Sequence, residues 1–171
     1  MRAVLDGLHA GAPDEARRRL EPRRATRNEL ERVHTPEYLD HLERFCAAGG
    51  GRLDGDTGAS AASWEAALLA AGSGLEAVDA LERGDGDFAF CAVRPPGHHA
   101  VAERAMGFCL LNNVAVTAAA LSSRGERVLV VDWDAHHGNG TQDIFYADGS
   151  VMYVSMHEWP LYPGTGRLTD T

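Results

Sequence analysis

The strongest constraint on the fold is the run VLVVDWDAHHGNG, Val128 to Gly140, in which four aliphatic residues pass directly into two aspartates and two histidines. A short, continuous aliphatic run bounded by polar residues reads as a strand buried inside a parallel sheet. Carboxylates are too costly to bury unpaired, so the ionisable cluster belongs where that strand emerges. In open α/β sheets that place, the carboxyl end of the strands, is where ligands bind.

The neighbouring segments extend the pattern. DFAFCAV, residues 87–93, is a short β-prone run that ends at RPPG, where two prolines forbid helix or central strand. LLNNVAVTAAALSSRG reads as a buried helix stopped by Gly125, and SVMYVSMH as a strand after a short helix in TQDIFYAD. Strand, helix and strand in this order form βαβ units. The expected architecture is α/β, a three-layer, mainly parallel sheet with helices on both faces. It brings RPPGHH, DWDAHHGNG and SMHEWPLYPGTG to one edge. Upstream, Thr35 is placed to cap a helix that starts at Pro36 and runs through EYLDHLERFCAA to the stop GGG. GRLDGDTGAS reads as a polar loop. SWEAALLAA and GLEAVDALERG read as helix, bent where Gly72 and Gly74 weaken it. No internal repeat or linker divides the chain, and 171 residues suit a single core.

Sixteen Lys and Arg against 25 Asp and Glu give a net charge of -9, which argues against general binding to nucleic acid or to an anionic membrane. No stretch has the length and apolarity of a signal peptide or membrane span, so a cytoplasmic location is expected. Cys46, Cys91 and Cys109 are odd in number and widely spaced, which suggests neither a disulfide framework nor a thiolate metal site. They are expected to be small buried apolar residues. The histidines are more informative. His98-His99 and His136-His137 form adjacent pairs at successive strand ends.

Residues two apart on an extended strand share a side, so Asp132, Asp134 and His136 project together in this reading. Carboxylate and neutral imidazole suit zinc or another first-row divalent ion. An isolated Asp-x-His is more often a loop cap beside a packed histidine, but several carboxylates at one strand end favour a cation. Two adjacent histidines on a proline-stiffened loop beside such an ion suggest acid-base work on water. Each needs a partner to set its tautomer, and Asp132 and Asn139 are available.

The blocks RPPGHHA, MGFCLLNNVAV, VLVVDWDAHHGNGTQDIFY and VMYVSMHEWPLYPGTG resemble the zinc-dependent histone deacetylases, in particular their class II and bacterial acetylpolyamine amidohydrolase branch. VHTPEYLDHL and the run from LDGDTGAS to GLEAV add weaker support. The resemblance implies the arginase/deacetylase fold and hydrolysis of acylated lysine side chains or related acylated amines. It implies that Asp134 and His136 ligate zinc, that His99 is the general base, and that His98, paired with Asp132, is its electrostatic partner. Asn139 would orient His99; class I enzymes have aspartate there. Gly107 and Phe108 would line a narrow tunnel for the acyl-lysine arm, with Tyr162 opposite, where relatives commonly have phenylalanine. A potassium ion beside the zinc would involve Asp132, Asp134, His136, Ser155 and Met156, partly through backbone oxygens.

In that family a third zinc ligand, an aspartate, and a tyrosine oxyanion donor lie beyond the PGTG block. The chain is therefore expected to be the N-terminal portion of a deacetylase domain, residues 1–171, with feeble activity alone. Asp143, Asp148, His157 and Asp170 are poor substitutes for the third ligand. A parallel sheet cut in half leaves an unpaired edge, which favours a homo-oligomer or a complementing C-terminal half. Two other readings remain open: a non-catalytic remnant that binds acylated ligands or a subunit, and a manganese hydrolase of the related arginase fold. The His98-His99 pair and the GFC block speak against the latter.

Overall fold

A computed structural model describes residues 2–11 and 14–169; Asp170 therefore lies outside the described residues. The elements are α1 (Arg2–Gly11), a 3₁₀ turn (Asp14–Ala16), α2 (Arg27–Leu30), α3 (Pro36–Ala47), β1 (Gly50–Arg52), β2 (Gly58–Ser60), α4 (Ser63–Glu82), α5 (Asn113–Ser122), β3 (Val128–Asp132), α6 (Asn139–Phe145) and β4 (Val151–Ser155).

α3 begins as its sequence dictates. Thr35 Oγ1 accepts the Tyr38 N–H at 3.3 Å and Pro36 takes the first helical position. Its apolar stripe, Tyr38, Leu39, Leu42 and Cys46, is buried. Removing the two leucines from water contributes roughly 1.5–3 kcal/mol each. α4 is one uninterrupted helix of 20 residues, where the sequence suggested a bend. Its glycines serve close approach instead. A Cβ on Gly72 would collide with the Arg23 carbonyl, and one on Gly74 with the Thr117 hydroxyl on α5. The alanine-rich faces of α4 and α5 pack together, and Ala67, Ala71, Leu75, Ala115, Val116 and Ala119 join Val130, Phe145 and Val151 in the core.

β3 and β4 pair in parallel, with Val128 opposite Val151 and Asp132 opposite Ser155. β1 and β2 form a separate antiparallel hairpin. The α/β class and the parallel pairing agree with the sequence, with three differences. The run 87–93 is not a strand: among the described residues no backbone pairs with it, and Phe88 and Phe90 are exposed. Without a ladder neighbour its β propensity has nothing to satisfy. Cys91, on the same run, is exposed for that reason, whereas Cys46 and Cys109 are buried. Finally, helices cover one sheet face only among the described residues. Val130 and Val151 are buried against them, whereas Leu129, Val131 and Met152 on the opposite face are 60%, 41% and 64% exposed. The aliphatic run is thus half-buried.

Candidate active site

β3 ends at Asp132, and the next residues turn rather than extend. The Asp134 N–H donates to Asp132 Oδ1 at 3.1 Å, and the His136 N–H donates to Asp134 Oδ1 at 2.8 Å. These successive side-chain-closed turns replace extended backbone after Asp132, correcting the expectation that all three project from an extended strand. α6 then starts against the RPPG loop: the His98 carbonyl accepts the N–H groups of Gly140 and Thr141 at 3.0 and 3.2 Å. Gly140 is required there, because a Cβ would strike the Ala100 carbonyl. The proline-stiffened loop and the start of α6 are thereby locked together, and His98, His99 and Asn139 share one frame.

Two hydrogen-bonded pairs result. His98 Nδ1 lies 2.9 Å from Asp132 Oδ2, and the Tyr153 hydroxyl donates to the same oxygen at 3.0 Å. Burial pushes the Asp132 carboxyl up, but the His98 hydrogen bond and charge, the Asp134 N–H and Tyr153 outweigh it, so the group lies below the ordinary carboxylate range. His99 Nδ1 lies 2.9 Å from Asn139 Oδ1, whose Nδ2 faces the His99 carbonyl at 3.4 Å. With the amide oxygen accepting, Nδ1 carries the proton and Nε2 keeps a lone pair. Burial pulls the pKa of His99 down, opposed by Asn139 and reinforced by the neighbouring His98 and His136. The two rings stand 4.0 Å apart between centroids.

His136 Nδ1 and Asp134 Oδ1 are 3.0 Å apart, with both side chains about half exposed. Two lone-pair atoms that close need a proton or a cation between them. Two ligands of one tetrahedral ion, each at about 2.0–2.1 Å, stand roughly 3.3 Å apart, so the pair fits two positions of such an ion in chemistry and in spacing. Among the described residues no group of three or more His, Cys, Asp or Glu is arranged to hold a metal. Ser155 lies beside Asp132 by the sheet register, and the Met156 N–H donates to the Asp132 carbonyl at 2.9 Å. Tyr162 stands edge-on to the His99 ring at 5.0 Å. Gly107 lies flat against His99, since a Cβ there would overlap the ring, and the Phe108 ring beside it is exposed.

Tyr153 was not singled out from the sequence, although the alternation of SVMYVS puts its side chain on the covered sheet face with a hydroxyl that must find a partner. A second histidine pair also escaped notice. His137 and His157 are 4.7 Å apart, held by Thr165, Gln142, Ser155 and the Gly166 carbonyl. These contacts tie the segment after β4 to α6.

The profile of the histone deacetylase domain matches residues 1–171. The chain belongs to the histone deacetylase domain family. A probable deacetylase of Archaeoglobus fulgidus is 46% identical over 148 residues, which are 86% of this chain and 41% of that protein. The human polyamine deacetylase HDAC10 is 41% identical over 165 residues, 92% of this chain and 25% of that one. The crystal structure of the HDA15 HD domain superposes with a TM-score of 0.89 at 41% identity, covering 97% of this chain and 50% of that one. This histone deacetylase family chain thus spans about half the length, or less, of these relatives.

Proposed function

We propose that residues 1–171 are part of a metal-dependent amidohydrolase domain that removes acyl groups from lysine side chains or related acylated amines. The observation that carries this reading is the His99–Asn139 pair at 2.9 Å, which leaves His99 Nε2 free as an acceptor beside the Asp134–His136 donor pair. Asp134 and His136 would hold the ion, taken as zinc. Such an ion supplies Lewis acidity toward an amide carbonyl and water.

The remaining work belongs to the chain's own side chains. His99, kept neutral near pH 7 by burial, takes a proton from water at Nε2, while Asn139 stops the ring from turning or changing tautomer. His98, held by Asp132, stands against the His99 ring; a protonated histidine returns a proton to the leaving amine. Tyr162, Gly107 and Phe108 border an apolar approach to His99 that suits the methylenes of a lysine or polyamine arm. A potassium ion at Asp132, Asp134, His136, Ser155 and Met156 would brace the metal loop. Further polypeptide would supply a third metal donor and an oxyanion donor. The bare face of Leu129, Val131 and Met152 favours association with such a segment or with a second copy.

Fusion of this chain to the remaining part of the Archaeoglobus relative, assayed with acetyl-lysine peptide and N-acetylputrescine, tests the proposal. Hydrolysis by the fusion that disappears in His99→Ala, with little from the chain alone, is expected. A folded fusion inert on both substrates would overturn the enzyme reading, and a chain as active alone as fused would overturn the need for further donors.

A further inference from the structure

One buried polar group near the site has no role in the chemistry above. Thr57, on the loop between β1 and β2, is 1% exposed, and its hydroxyl is aimed at the backbone of a distant segment. Its Oγ1 accepts the Phe108 N–H at 3.0 Å and donates to Asp56 Oδ1 at 2.8 Å. The loop that presents it is itself closed: Asp54 Oδ1 accepts the N–H of Asp56 at 3.0 Å and of Thr57 at 2.6 Å, and the Thr57 carbonyl accepts the Leu53 N–H at 2.8 Å.

Phe108 is the residue for which such an anchor matters. Met106 and Cys109 exchange backbone hydrogen bonds at 3.1 and 2.9 Å, closing a two-residue turn with Gly107 at φ 56° and Phe108 at φ 65°. Positive φ at both central positions defines a type I′ turn, which favours Asn and Gly. Phe108 is the one non-glycine residue at positive φ among the described residues, and its ring is 64% exposed. The chain therefore holds a bulky residue in a left-handed conformation without burying its ring. Backbone strain of this kind persists only where the surroundings over-determine it, and it clusters at ligand sites.

We infer that Thr57 is a positioning residue: its buried hydroxyl clamps the Phe108 N–H and so fixes the Gly107–Phe108 turn that lies against His99, making the 53–57 loop part of what selects the substrate arm. The clamp is a matter of geometry, whereas its bearing on an acyl-lysine arm rests on the function proposed above. Replacing the hydroxyl by a methyl group leaves the Phe108 N–H without this acceptor and frees the turn to relax.

The test compares Thr57→Val, which keeps shape and loses the hydroxyl, with Thr57→Ser, which keeps the hydroxyl. Amide hydrogen exchange of Phe108 is followed by NMR, with Leu39 and Val116 reporting on the core. Exchange at Phe108 about tenfold or more faster in Thr57→Val, with Leu39 and Val116 unchanged and protection kept in Thr57→Ser, is expected for a local clamp. Unchanged Phe108 exchange in Thr57→Val, or equal acceleration at all three amides, overturns it. Should Thr57→Val not fold, the unsubstituted chain decides: Phe108 exchanging as fast as an unprotected amide overturns the clamp, and a protected Phe108 amide that stays protected in Thr57→Ser sustains it. Titration with N-acetyl-lysine methylamide, read on the Phe108 and Tyr162 resonances, then tests selection. Binding weakened several-fold in Thr57→Val and restored in Thr57→Ser supports it, while equal binding by both variants refutes it. Absence of binding by the unsubstituted chain counts against the proposed function and leaves the exchange result standing.

Discussion

Acidification should destabilise this chain through one buried residue that is not among the candidate catalytic groups. His34 is 1% exposed, accepts the Asn112 N–H at Nε2 (3.0 Å) and presents Nδ1 to the carbonyls of Val101 and Ala102 at 3.1 and 3.3 Å. The ring is thus used as one acceptor and one donor, which only the neutral form provides. Protonation would place an N–H against the Asn112 N–H in a site closed to bulk solvent. Burial accordingly pulls its pKa from 6.5 down to about 4, with the two carbonyls offsetting only part. A base whose folded pKa is depressed binds protons more readily when unfolded, so stability is highest above pH 6.5 and falls as pH drops toward 4. The gap corresponds to about 2 kcal/mol between pH 7 and pH 5, and about 3 kcal/mol once both states are protonated. Urea unfolding at pH 7 and pH 5 measures this loss, with His34→Gln as reference because its amide can still accept from Asn112 and donate to a carbonyl. The unsubstituted chain should lose about 2 kcal/mol more than the variant. Equal losses in both would refute the assignment of acid sensitivity to His34.

Three other substitutions probe packing and the site. Gly72→Ala should cost roughly 1–3 kcal/mol in urea unfolding, because the added methyl meets the Arg23 carbonyl rather than a movable side chain. Tyr153→Phe removes one of the donors to Asp132 and should raise that carboxyl's pKa, followed by NMR titration, at a stability cost of about 1 kcal/mol. Met152→Lys on the exposed sheet face should reduce self-association in sedimentation velocity while leaving circular dichroism unchanged.

The sequence made the local structure legible wherever a residue's own chemistry decided the outcome. Thr35 and Pro36 fixed the start of α3, the β-prone run SVMYVSMH marked β4, and the resemblance to the histone deacetylases implied both hydrogen-bonded pairs, His98 with Asp132 and His99 with Asn139. It was misleading where the outcome depends on a neighbour. DFAFCAV has strand propensity but no pairing partner among the described residues, and Leu129 and Val131 are aliphatic yet uncovered. Gly72 and Gly74 read as weak points because propensity is a property of one helix, whereas the need for glycine comes from Arg23 and Thr117 on other elements. Thr57 and Tyr153 lie 51 and 21 residues from the groups they bond, and only the fold brings their hydroxyls to Phe108 and Asp132.

Zinc titration of the purified chain, with Asp134→Ala and His136→Ala alongside, tests the central claim most directly. The account predicts one weak site per chain that either substitution abolishes, because two converging donors bind an ion but do not hold it as three do. Tight binding that survives both substitutions, or no binding that depends on either residue, would contradict it.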